Sequence, residues 1–218
     1  MSTEQFLTYQ RFMNEQDARD LADLLKDNGV EFQWEDGTAS FDPSFANNAV
    51  HKEFRVKLKP VDFQRADDLL LEQSSALLNE IEQDYYLFQF SDEELFDVLE
   101  KRDAWSKFDY LLAQKLLKER GKSFSIAELE AMRNRRIEEL AKPDTDQTLW
   151  VAVGYVSVLF GGLFGVFLGW HLYSHKKTLP DGTRAYGYTE KDRKQGRIIF
   201  FLGLVSFLIF LFFRLTEY

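Results

Sequence analysis

Leu149–Ser174, LWVAVGYVSVLFGGLFGVFLGWHLYS, contains no acidic or basic residue other than His171. A helix rising about 1.5 Å per residue needs about 20 residues to cross a hydrocarbon core of about 30 Å, and this stretch exceeds that length. Trp150 and Tyr155 near one end, and Trp170 and Tyr173 near the other, fall where two interfacial aromatic belts would lie. The stretch therefore predicts a transmembrane helix over 149–174. A second apolar run, Ile198–Phe213 (IIFFLGLVSFLIFLFF), follows a polar connection at 175–197. Its uncharged core is about 24 Å long, so it reaches spanning length only by adding Gly196 and Leu215, with Arg197 and Arg214 extending toward headgroups. Together the runs predict a C-terminal transmembrane helical hairpin. A hairpin confined to one leaflet is the alternative, and it leaves the paired belts unexplained.

Gly161, Gly165 and Gly169 recur every fourth residue and Gly154 lies seven before the first, so on one continuous helix all four share a face. Small residues there admit a close helix partner. The expected partner is the second span of the same chain, with a homo-oligomer seam as the alternative.

The 218 residues carry a net charge of −9, unevenly divided. Residues 1–148 hold 32 acidic and 19 basic side chains, and residues 149–218 hold 4 and 8. An acidic polar part gives no surface to neutralise phosphates, which argues against a nucleic-acid partner. With no cysteine, disulfides and thiolate metal sites are excluded. The opening MSTEQFLTYQRFMNEQDARD has no basic start followed by an apolar core, so the polar part is expected in the cytosol. The charge rule points the other way. Lys176, Lys177, Arg184, Lys191, Arg193, Lys194 and Arg197 crowd the connection, against Arg135, Arg136 and Lys142 before the first run. In a two-span hairpin these expectations conflict, and the cytosolic placement is preferred because long domains obey the charge rule poorly. The expected location is thus integral to the inner or cell membrane, with the soluble domain cytoplasmic.

Ahead of the apolar runs, FLTYQR has strand composition. Asn14 is a helix N-cap, followed by a stripe of Ala18, Leu21, Ala22 and Leu25 and an Asn28-Gly29 stop. Val30–Trp34 predicts a strand ending in an Asp36-Gly37 turn, and Glu53–Leu58 alternates apolar and charged residues. Asp62 would cap a helix with a Phe63, Ala66, Leu69 and Leu70 stripe, and Tyr85–Phe90 would add a last strand to a split βαβ sheet.

DARDLADLLKDNGVEF, the FDPSF loop and EFRVKLKPVDFQRADDLL resemble the prokaryotic signal-transducing protein family, small ferredoxin-like domains distantly similar to nitrogen-regulatory PII trimers. The resemblance covers roughly residues 5–73. It implies a ferredoxin-like fold and a signalling role, while no nucleotide-binding signature accompanies it.

The loop TASFDPSFANNAV, 38–50, is long and rich in turn formers, with Phe41 and Phe45 inside it. In PII-type proteins the corresponding position contacts partners, so Phe41, Asp42 and Phe45 are the candidate partner-binding residues. The alternative is that both rings tuck under the sheet edge. After a linker at 74–90, three helices start with explicit signals over 91–142: Ser91 with Glu94, Ser106 with Asp109, and Ser125 with Glu128.

No catalytic constellation emerges. His171 and His175 are one turn apart but lack a third ligand, and His51 is alone. The acidic pairs Asp67-Asp68, Glu93-Glu94 and Glu138-Glu139 read as solvated helix faces. No cofactor or metal is expected. The sequence thus predicts an α+β ferredoxin-like N-terminal domain (1–73), a short all-α segment and a transmembrane hairpin. The expected role is a non-enzymatic, membrane-anchored interaction or signal-transducing adaptor that binds a protein partner or small effector. The alternative is a self-assembling structural membrane protein, and an enzyme ranks third.

Overall fold

The structure, a computed structural model, describes residues 5–37, 53–78, 81 and 84–216. Phe41, Asp42 and Phe45 lie outside the described residues. The chain forms two compact units: Met1–Glu139 with Thr178–Thr183, and Leu140–Lys177 with Arg184–Tyr218.

The first unit opens with β1 (Leu7–Phe12), α1 (Glu15–Asp27), β2 (Phe32–Gly37), β3 (Glu53–Leu58) and α2 (Phe63–Leu77). The sheet order is β1-β3-β2, with β3 antiparallel to both neighbours. Period-two patterning drives β3: Phe54, Val56 and Leu58 are buried, whereas Arg55 and Lys57 face outward to pair with Glu53 and Glu35. Leu21, Leu25, Phe63 and Ala66 cover the apolar face. Asn14 caps α1 by accepting from the Gln16 amide at 2.9 Å.

Several expectations need correction. The ferredoxin-like domain does not form, because among the described residues the sheet has three strands and lacks the fourth. Tyr85–Phe90, expected to supply it, instead contains a 3-10 turn at Tyr86–Gln89. Leu87 is buried in the helical core, and the Tyr85 hydroxyl donates to Asp109 at 2.7 Å, so the aromatic run is held by helices rather than by the sheet edge. β2 extends through Asp36-Gly37 opposite Phe54 and Glu53, absorbing the expected turn. Asp62 makes no side-chain cap and instead closes a 3-10 turn begun at Pro60.

A second core joins α3 (Asp92–Glu100), α4 (Lys107–Glu119) and the start of α5 (Ile126–Ala141) through Leu95, Leu99, Leu112, Leu117 and Met132. Ser91 and Glu94 form a reciprocal capping box, and Ser125 and Glu128 exchange the same bonds.

The second unit contains α6 (Thr148–Leu159), α7 (Leu163–Ser174), a small ribbon of β4 (Lys176–Thr178) and β5 (Arg184–Tyr186), and α8 (Glu190–Thr216). The expected helix over 149–174 is broken. Gly161 and Gly162 adopt φ of 90° and 74°, a left-handed conformation that glycine tolerates and that ends α6. Among the described residues, α8 is the one helix long and apolar enough to cross a membrane, so the two-helix transmembrane hairpin is not formed.

Candidate membrane-binding surface

α6 and α7 run in opposite directions along α8. The Tyr155 hydroxyl donates to Gln195 at 2.6 Å, Gly154 meets the Ile199 side chain, and the Ser206 hydroxyl donates to the Val158 carbonyl at 2.6 Å. Numbers therefore rise together on α6 and α8. On α7 they oppose: Val166 and Gly162 face Gly203, and Leu172 and Tyr173 face Gly196.

Glycine permits this packing. A Cβ on Gly203 would sit 2.8 Å from both the Gly162 oxygen and the Val166 nitrogen, and one on Gly196 would sit 2.7 Å from the Leu172 Cβ. Gly169 presses on the backbone of Phe200 and Gly196. Of the four expected packing glycines, Gly154 and Gly169 thus face α8, each from a different helix. Gly165 faces Ser157 and Val158 of α6, and Gly161 lies at the turn, where an added Cβ would be 3.7 Å from the Phe210 ring. The break separates them, so they do not share one helix face. Gly196, Gly203 and Ser206, on the opposing helix, were not singled out from sequence.

The outside of this unit is apolar. Phe160 is 84% exposed and Leu159 81% exposed at the turn, and Phe164, Phe167, Val205, Ile209 and Phe212 continue the surface. Patches of this extent mark a binding surface rather than a solvated one. Polar side chains within it are satisfied locally: Ser157 donates to the Gly154 carbonyl and Ser174 to the Trp170 carbonyl, both at 2.7 Å.

A basic and aromatic collar bounds the apolar surface. The Arg193 guanidinium lies 3.2 Å from the Tyr186 ring centre, with the Lys176 ammonium 4.7 Å from the same ring, and Arg197 lies 4.8 Å from the Tyr173 ring. The His171 and His175 rings stack 4.9 Å apart and both pack on Tyr188, whose hydroxyl is 2.9 Å from His171 Nε2. Among the described residues, no three His, Cys, Asp or Glu side chains gather to hold a metal ion. The collar places cations and amphipathic rings together, as headgroup contact requires.

The first unit holds a charge cluster that the sequence reading misplaced. Asp67, read as part of a solvated face, is buried. It accepts from the Tyr9 hydroxyl at 2.8 Å and from Arg102 at 3.1 Å, and pairs with Lys107 at 2.8 Å. Burial, reinforced by Asp67, pushes the Tyr9 phenol far above its ordinary range. Burial lowers the Lys107 pKa, opposed by Asp67. Arg102 also lies over the Tyr110 ring at 5.1 Å. With its carboxylate fully engaged, the cluster ties α2 and β1 to the helical segment and leaves no free acid–base pair. The signal was present: Phe63, Ala66, Asp67 and Leu70 follow the i, i+3, i+4, i+7 spacing of a buried stripe. Comparison of the chain with known protein families, curated proteins and solved structures finds no match.

Proposed function

We propose that this chain is a membrane-anchored adaptor: an integral protein of the inner or cell membrane whose polar unit sits in the cytoplasm and binds a protein partner. The observation that carries the anchoring is the continuous exposed apolar surface of α6, α7 and α8 with a basic and aromatic collar, in a chain whose polar unit has cores of its own. Water penalises such a surface and lipid does not. The signalling resemblance supports the adaptor role. The segment between β2 and β3 is assigned as the partner contact, through Phe41, Asp42 and Phe45.

Crosslinking and affinity capture from membranes, comparing the wild type with the Phe41→Ala, Phe45→Ala double variant, tests this role. The adaptor reading expects a crosslinked protein that the double variant loses while keeping the wild-type circular dichroism. Recovery of only the chain itself from both would favour the self-assembling structural reading instead.

A further inference from the structure

We propose that α6 and α7 form a re-entrant hairpin, which enters the lipid from the face carrying the polar unit, turns at Phe160–Gly162 inside the hydrocarbon and returns to the same face. This rests on the membrane reading above and gives the anchor its topology, with lipid acyl chains as the occupant of the exposed turn.

Depth follows from register along α8. Tyr155 bonds Gln195 at the collar, and Gly162 lies against Gly203 and Phe207, eight to twelve residues further along α8, so the turn reaches about 12–18 Å below the collar, roughly half of a hydrocarbon core of about 30 Å. Neither arm is long enough to cross alone, each having 12 residues, or about 18 Å. Non-helical backbone is tolerated at such depth only when its polar groups are paired within protein. Several of the turn's polar groups are paired in this way. The Phe160 and Gly162 amides donate to the Ser157 carbonyl, the Leu163 amide donates to Gly161, and Ser206 satisfies the Val158 carbonyl.

Thr178–Thr183, the ribbon tip that follows α7, belongs to the same compact unit as residues 1–139. There Gly182, at φ 80°, lies against Pro60 and Phe63 so closely that an added Cβ would be 2.9 Å from Pro60. A two-span chain would put this tip across the membrane from Pro60. With a re-entrant hairpin, the polar unit and the seven basic residues of the connection share one face. The charge rule and a cytosolic polar unit then agree instead of conflicting.

The absence of native cysteine makes labelling clean. Full-length single-cysteine variants Glu119→Cys, Glu190→Cys, Phe160→Cys and Thr216→Cys would be reconstituted in sealed phosphatidylethanolamine–phosphatidylglycerol vesicles. Each is treated with a membrane-impermeant maleimide before and after detergent. Phe164→Cys, also at an exposed position near the turn, is a second reporter should Phe160→Cys fold poorly. The expected result is the same labelled fraction for Glu119→Cys and Glu190→Cys, the complementary fraction for Thr216→Cys, and loss of labelling at the turn until detergent is added. Complementary labelling of Glu119→Cys and Glu190→Cys, or labelling of the turn in intact vesicles, would overturn the re-entrant hairpin while leaving the anchor standing. Full labelling of every variant, with the chain recovered free of lipid, would overturn the anchor itself.

Discussion

The Ser206 hydroxyl on α8 donates at 2.6 Å to the carbonyl of Val158, one residue before the end of α6. Helix ends leave carbonyls without intrahelical partners, and here the neighbouring helix supplies the missing donor. Ser206→Ala should therefore cost about 1 kcal/mol of stability in micelles, with Ser206→Thr largely restoring it. Unfolding the full-length chain in mixed detergent, followed by tryptophan fluorescence, reads the difference.

The glycines should separate by what surrounds them. A Cβ on Gly169 would meet the backbone of Phe200 and Gly196, which cannot swing aside, whereas one on Gly165 meets the side chains of Val158 and Ser157 at 3.1 and 3.2 Å. Gly169→Ala is expected to destabilise by about 1–3 kcal/mol and Gly165→Ala by less. The same detergent unfolding assay ranks them, and equal effects would contradict the packing described for α7 on α8.

Much of the polar unit was legible because its residues follow one rule at a time: the alternation of Phe54, Val56 and Leu58, the Ser91–Glu94 box, the Ala18–Leu25 stripe. Misreadings fell where two rules compete. Gly161-Gly162 satisfies both the every-fourth-residue spacing of helix packing and the diglycine signature of a turn, and the turn prevails because both residues take positive φ. Tyr85–Phe90 has strand composition, but Leu87 finds a fully buried site among helices, so tertiary packing overrides propensity. The depth of the turn was not legible, since the pairings that define it join residues about fifty positions apart, as Val158 and Ser206 are.

Asp67 is the counterion for both Arg102 and Lys107, and removing it leaves two largely buried cations without this carboxylate. Asp67→Ala should destabilise the first unit by about 3–5 kcal/mol. Combining Asp67→Leu with Arg102→Met and Lys107→Met should recover much of that loss. Denaturant unfolding of the full-length protein, followed by tyrosine near-ultraviolet dichroism, tests both; equal stability of Asp67→Ala and wild type would remove the cluster from the account.

The phenols of Tyr9 and Tyr85 are both raised, first by burial and then by the carboxylates they bond, Asp67 and Asp109. A folded pKa above the unfolded value of about 10 gives a stabilising contribution that is full below that pH and declines as pH rises toward the folded value. Absorbance titration near 295 nm should therefore show these two tyrosines protonated after the exposed ones have ionised, with their release coinciding with loss of dichroism. In Tyr9→Phe, Tyr85→Phe the late component should shrink to what Tyr86, Tyr110 and Tyr188, also raised by burial, contribute.

The most direct measurement is flotation of the full-length chain with phosphatidylethanolamine–phosphatidylglycerol vesicles after an alkaline carbonate wash. An anchor built from α6, α7 and α8 predicts that the chain floats with the lipid. Recovery of the chain in the carbonate supernatant, still folded, would contradict the account and require the apolar surface around Phe160 and Phe212 to be covered by protein instead.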